Sequence, residues 1–364
     1  MKQKKRKYRY SKKVRISAII GSSVMAVIGI LCITAYIFIT SLVGRISFTD
    51  DDYYDPNADV DLGIEDDSGV DAPAMDNSAY DKVQSVLELP LRGNEKGIRN
   101  ILLLGIDSRT DSYKGLSDTT IILSINDNTK TIKLISLLRD TWVTIPGRDK
   151  DGDGKDDFGK LNSAYAYGRH TLQNKMIAQN FRLDIDDYIG VNFKGLPVLI
   201  DAMGGLDIYL TAKEMTQIPK VGTLPTFGDP AFVPITGSPG VHHLDGYQTM
   251  QYARIRKIDS DFQRTDRQRK VVTLLIEKAK SMSYTQLVNM VYKAASCVDT
   301  NFSTDELLSF AANALKYSSY TIENDYHVPQ TGGYKSTSIV GKGSGLLLLD
   351  NKKTVQDLHK YIYN

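Results

Sequence analysis

The chain has 364 residues, a formal net charge of +2 and 41% hydrophobic residues, enough for one large domain or two small ones. Its two cysteines exclude a disulfide framework: Cys32 lies in an uncharged run, Cys297 stands alone far from it, and no Cys/His spacing fits zinc. The absence of a Walker loop and of a G-x-S-x-G elbow argues against a P-loop NTPase and an α/β-hydrolase.

The charge is unevenly spread. Residues 1–15 carry Lys2, Lys4, Lys5, Arg6, Lys7, Arg9, Lys12, Lys13 and Arg15 and no acid, and residues 16–43 carry no charge at all. The uncharged run is long enough to cross a bilayer as a helix. Its basic flank predicts a cytoplasmic N-terminus, which accounts for the basic tail without nucleic acid as a partner. The run is longer than a signal-peptide core and no small-x-small cleavage site follows it, so an uncleaved anchor is expected. Residues 44–85 are acidic, with Pro56 and Pro73, and read as an extracellular spacer. Residues 86–364 are expected to form the extracellular domain. The absence of a disulfide there fits a Gram-positive surface.

A short helix over 81–92 leads into the domain. Strands follow at Arg99–Asp107, Thr119–Asn126 and Thr131–Leu138, the last two joined by a tight turn at Asp127–Asn128, and a short one at Trp142–Ile145. Helices are expected over Asn162–Arg182, with Asn162 as N-cap, and over Gly195–Met203, with strands at Tyr188–Phe193 and Leu206–Leu210. Residues 215–240 read as a long functional loop. Asp245–Ala253 and Arg264–Met282 read as helices, as do 284–295, 304–317 and 352–362, with strands at 321–328 and 334–340. Strands and helices mingle without a strict βαβ rhythm, which predicts an α/β or α+β fold with a mixed central sheet flanked by helices.

Several clusters could carry chemistry. Asp107 and Arg109 end the first strand and Asp118 opens the second, so neighbouring strands would bring two carboxylates together beside an arginine. Such a pair suits Mg²⁺ when a substrate phosphate completes its ligands. Arg139 leaves the third strand. Asp149-x-Asp151-x-Asp153-Gly154 begins like a calcium loop, but Lys160 occupies the twelfth position, so it reads first as a polar loop. Lys160 itself could face an anion. Tyr252–Arg267 holds Arg254, Arg256, Arg264 and Arg267, with Asp259, Asp261 and Asp266 among them. Guanidinium forks at this density suit a diphosphate, although a charge run on a helix is more often a solvated face.

These motifs in order resemble the LytR-CpsA-Psr family: NILLLGIDSR (100–109), SDTTIILSIN (117–126), SLLRDTWVTIPG (136–147), KLNSAYAYG (160–168), YIGVNFKGLPVLIDAMGGLDI (188–208), LDGYQTMQYARIRK (244–257) and DFQRTDRQRKVV (261–272). The resemblance implies a phosphotransferase that moves a teichoic acid, capsule or other secondary polysaccharide from a polyprenyl-pyrophosphate carrier to peptidoglycan and releases polyprenyl phosphate. It implies Mg²⁺ on Asp107 and Asp118. Arg109, Arg139, Arg254, Arg256, Arg264 and Arg267 would grip the phosphates, and Asp261 would orient an arginine or activate the acceptor hydroxyl beside Arg256 and Arg264. The apolar faces of 195–203 and 271–279 are the expected walls of a prenyl pocket. The chain departs from the family where Leu138 replaces a common proline, where Arg169 and His170 follow Gly168 in place of paired glycines, and where Ser260 and Gln263 flank Asp261–Phe262. A lipid pyrophosphatase and a non-enzymatic envelope-binding or regulatory protein remain alternatives.

Overall fold

A computed structural model describes residues 55–57, 77–108, 115–218, 235–303, 316–339 and 343–364, with scattered positions between 304 and 315. The expected span at 16–43, Arg109, and most of the 215–240 loop lie outside the described residues. Among the described residues no helix is long and apolar enough to cross a membrane.

The core is a six-stranded mixed sheet. Strands β1 (Ile98–Asp107), β2 (Leu116–Asn126) and β3 (Thr131–Leu137), built on continuous apolar runs, pair antiparallel in succession. Asn126 shapes the β2–β3 turn by accepting the backbone N–H groups of Asn128 and Thr129 on its Oδ1, at 2.9 and 3.1 Å. Strand β6 (Tyr188–Asn192) joins β1 parallel, β9 (Val298–Thr300) pairs β6 antiparallel, and β10 (Thr321–Val328) joins β3 parallel, giving the order β10-β3-β2-β1-β6-β9. Two-stranded pairs complete the set: β4 (Trp142–Thr144) with β5 (Phe158–Lys160), β7 (Leu206–Leu210) with β8 (Gly240–Leu244), and β11 (Tyr334–Ile339) with β12 (Gly343–Leu348). Strands β5, β8, β9 and β12 were not expected. Three of these are three to five residues long, and β8 and β12 contain His242–His243 and two glycines in place of an alternating apolar pattern.

Helix α1 (Asn77–Val86) begins earlier than expected and buries Ala79, Val83 and Val86, so the folded part includes residues read as the end of the spacer. On one face of the sheet Leu102, Leu104, Ile106, Ile122 and Ile135 pack against α2 (Ser163–Phe181) and against α8 (Asn351–Tyr363), the closing helix. On the other face lie α3 (Gly195–Ala202), α4 (Ala212–Gln217), α5 (Gly246–Ala253), α6 (Asp261–Ser281) and α7 (Tyr284–Ala294). Ile200, Ile208, Leu244, Tyr252, Ile255 and Val271 form a second core there, under the β7–β8 pair.

Helix α2 carries two corrections. Asn162 is not a side-chain cap; it sits in the right-handed helical region and its amide turns to Asp118. The helix is also broken at Gly168 and Arg169, with Arg169 at φ 50°, ψ −148°. A glycine takes that conformation freely, whereas an L side chain pays of order 1–3 kcal/mol. This is where the resemblance leads one to expect a second glycine.

Candidate active site

Asp107, Asp118, Arg139 and His327 all stand at one edge of the sheet, at the end of β1, the start of β2, just past β3 and near the end of β10. Asp118 is aimed by a β-bulge. Gly105 pairs with Thr119 and Ile106 with Ser117, so Asp118 is the extra residue between them. Such bulges re-aim a side chain without ending the ladder. Gly105 is needed beside it, because a Cβ there would approach the Thr119 Cβ to 2.8 Å.

Below this edge a cavity of about 630 Å³ opens between the sheet and the helices. Leu103, Ile121 and Ile189 lie side by side in register as its floor. Leu196 and Leu199 of α3 and Val271, Val272 and Leu275 of α6 form its walls, as the sequence led us to expect. Asp107, Asp118, Arg254, Arg256, Lys257 and Arg264 ring its mouth.

Helix α6 links the two halves. It starts at Asp261, three residues earlier than expected. At helical spacing, Asp261, Arg264, Gln268, Val271, Val272 and Leu275 follow one another along one face. That face is acidic at its start, cationic one turn later and apolar beyond, matching an amphiphile with an anionic head. The arginines of this stretch are not a solvated face: Arg264, Arg267 and Arg269 are 2%, 5% and 4% exposed.

The charges above the cavity form a net. Arg139 donates to Asp118 at 2.9 Å and lies 3.2 Å from Asp140 and 3.8 Å from Asp261. Asp140 also holds Lys160 at 3.1 Å. Asp118 accepts further bonds from Arg256 and from Asn162, each at 3.4 Å. Asp261 accepts from Arg264 at 2.7 Å. Burial opposes ionisation of Asp118, but Arg139, Arg264 and Arg256 together hold its carboxyl below the usual range. Burial likewise opposes the charge of Arg139, yet Asp118, Asp140 and Asp261 outweigh it and raise its basicity.

Arg264 is the exception. Burial first, then repulsion from Arg139 and Arg256, pushes it down to about 10 despite Asp261. An arginine stays charged at neutral pH, so the depressed value measures the cost of holding that charge in place. Its Nε and Nη1 are buried with no hydrogen-bond partner among the described residues. A buried guanidinium with two unused donors beside a cavity is a site for an anion.

The remaining predicted residues divide. Arg254 lines the cavity and stacks its guanidinium 4.3 Å over the Phe193 ring. Arg267 does not reach the cavity. It grips Asp259 with two bonds of 2.6 and 2.7 Å and donates to the Ile255 carbonyl at 2.7 Å. It fixes the loop that presents Arg254 and Arg256. Arg267→Met is therefore expected to cost roughly 2–4 kcal/mol of stability, read by denaturant unfolding, because it removes the partner of Asp259 and leaves the buried Glu214 carboxylate, 3.6 Å away, without its cation, while the folded fraction keeps its anion site. Asp149, Asp151 and Asp153 bring carboxylate oxygens within 4.8 Å of one another, on the loop between Asp140 and Lys160. The role of Asp140 and the cavity position of Gln268 went unread in the sequence. Asp140 directly follows Arg139, and Gln268 lies one helical turn after Arg264.

The LytR_cpsA_psr family model matches residues 67–357. The chain belongs to that family. Two curated members resemble it, both polyisoprenyl-teichoic acid–peptidoglycan teichoic acid transferases TagU. That of Enterococcus faecalis is 33% identical over 243 residues, 65% of this chain and 70% of the relative. That of Oceanobacillus iheyensis is 35% identical over 228 residues, 60% of this chain and 63% of the relative. A solved structure of TagT bound to LIIa-WTA superposes with a TM-score of 0.56 at 25% identity, covering 73% of this chain and 90% of that one. The mixed sheet flanked by helices is thus the fold of this family.

Proposed function

We propose that the chain transfers a glycopolymer, of the teichoic acid class or another anionic wall or capsule polysaccharide, from a polyprenyl-pyrophosphate carrier to peptidoglycan. The observation that carries this is Arg264, buried with two unused donors at the mouth of an apolar cavity. The names of the TagU relatives and the ligand of TagT support the same chemistry.

In this reading the prenyl chain lies between Leu103, Ile121 and Ile189 and the α3 and α6 walls. Arg139, Arg254, Arg256 and Arg264 neutralise the diphosphate, with Arg109 as a further grip. The acceptor hydroxyl attacks the phosphorus that bears the polymer, the bond to the bridging oxygen breaks, and polyprenyl phosphate leaves. Phosphoryl transfer needs positioning and charge neutralisation above all. Asp261 aligns Arg264 and, in this reading, is the carboxylate that takes the hydroxyl proton. Asp107 and Asp118 line the same cavity mouth, and their hard oxygens, one kept ionised, fit Mg²⁺ completed by substrate phosphate. Bound there, Mg²⁺ would offset diphosphate charge. Residues 16–43 would anchor the chain in the cell membrane with this domain outside.

The test supplies the full-length chain with a polyprenyl-pyrophosphate-linked glycan, with and without peptidoglycan. Polyprenyl phosphate release and wall-linked polymer are expected only when peptidoglycan is present. Release at the same rate without it would make the protein a hydrolase and overturn the proposal.

A further inference from the structure

Past the arginine net, on the side away from the cavity, lies an aromatic cluster. Phe262, the residue after Asp261, stacks on Tyr334 with centroids 5.4 Å apart and meets the edge of His327 at 5.2 Å. All three are only partly buried. We propose that Phe262, Tyr334 and His327 form the platform on which a sugar ring of the acceptor glycan rests. This rests on the transfer reading above and adds to it the place of the acceptor.

The sheet order supplies the direction. The cavity covers β6, β1 and β2; Asp118 belongs to β2; Arg139 follows β3; His327 belongs to β10, one position before the Val328–Leu137 pair. Tail cavity, charge net and aromatic cluster therefore succeed one another along one edge. In-line displacement puts the attacking oxygen opposite the leaving oxygen. The leaving group is the prenyl phosphate, whose tail fills the cavity. The acceptor must then enter from the β10 side, over Asp261, whose side chain is 31% exposed.

A pyranose presents an apolar C–H face and polar hydroxyls at its rim, and an aromatic surface with polar tips complements both. Phe262 supplies the apolar face, and Tyr334 and His327 supply the tips. The cluster is also held rigidly against the net. Arg269 donates to the Asn324 carbonyl at 2.7 Å and Asn324 to Thr273 at 2.8 Å, tying α6 to β10. The Leu346 N–H donates to the Asp140 carbonyl at 2.8 Å and the Trp142 indole to the Thr337 carbonyl at 3.3 Å, tying β11 and β12 to the loop that carries Arg139. A surface fixed on both sides to the reacting groups can set the distance from a sugar ring to its attacking hydroxyl.

The experiment varies a soluble, uncrosslinked peptidoglycan glycan as acceptor at a fixed saturating donor, with the full-length chain. Tyr334→Leu is expected to raise the acceptor KM about 10-fold with kcat and donor KM unchanged, and Tyr334→Phe, which keeps the ring and loses only the hydroxyl tip, to raise it about threefold. His327→Leu should raise the same constant. In the unmodified chain, sugar-ring protons of the bound acceptor should shift upfield by NMR, a readout independent of how any variant folds. A folded Tyr334→Leu with native acceptor KM, a change in donor KM instead, or unshifted sugar protons would each overturn the platform. A wild-type chain that never transfers defeats the transfer reading itself, which these outcomes do not.

Discussion

Replacing Arg264 with methionine is expected to reduce turnover by about 10²–10³-fold and, in the same protein, to raise its melting temperature. The first effect follows from geometry. Arg264 places unused Nε and Nη1 donors at the mouth of the cavity, and its third nitrogen is fixed by Asp261 at 2.7 Å. Donors held in place before the reaction stabilise developing phosphoryl charge without reorganising. The second follows from the cost of that arrangement. Burial and two neighbouring arginines push the guanidinium down to about 10, so the fold carries a charge that Asp261 only partly offsets and that methionine removes. After the lost bond to Asp261, the gain is roughly 1–3 kcal/mol, or several degrees. The sign also fixes the pH behaviour. A base whose folded value is depressed costs stability wherever both states are protonated, so the gain should be constant between pH 5 and 9. Calorimetry paired with steady-state kinetics reads both effects. A lower melting temperature with intact turnover would make Arg264 a structural residue only.

Val272→Trp should act on the tail alone. Val272 is partly buried on α6 and lines the cavity one turn beyond Gln268. An indole there fills cavity space that the prenyl chain would occupy in the proposed reading, and each CH₂ kept from burial costs about 0.8 kcal/mol. The KM for a long-chain donor is expected to rise about 10²-fold, whereas a donor with two or three isoprene units should change less than about threefold. Equal losses for both donors would mean that the substitution disturbs the arginines and that the cavity does not hold the tail.

These residues show what the sequence could and could not disclose. The long apolar runs at β1, β2 and β3 were legible because a strand buried on both faces leaves no other pattern. The cavity walls on α6 were legible from the helical spacing of Val271 and Leu275, although their expected prenyl ligand came from the family resemblance. The charged residues were harder to read. Arg264 and Arg267 stand three apart on one helix and look equivalent in sequence, yet one lines the cavity and the other turns away from it to grip Asp259. What separates them is the path of the 254–260 loop, a tertiary fact without a local signal. Asp118 was expected to be a site residue, but not a bulge, since a one-residue insertion leaves the apolar pattern on either side intact. The aromatic cluster joins residues 262, 327 and 334, and only the parallel pairing of β10 with β3 brings its members together.

The most direct test of the central claim is a crystal structure of the chain with a polyprenyl pyrophosphate. The account predicts diphosphate oxygens on Nε and Nη1 of Arg264, with Arg256 beside them, and the prenyl chain running between Leu103, Ile121 and Ile189 and the α6 residues Val272 and Leu275. A headgroup bound away from Arg264, or a prenyl chain lying outside the cavity, would contradict it.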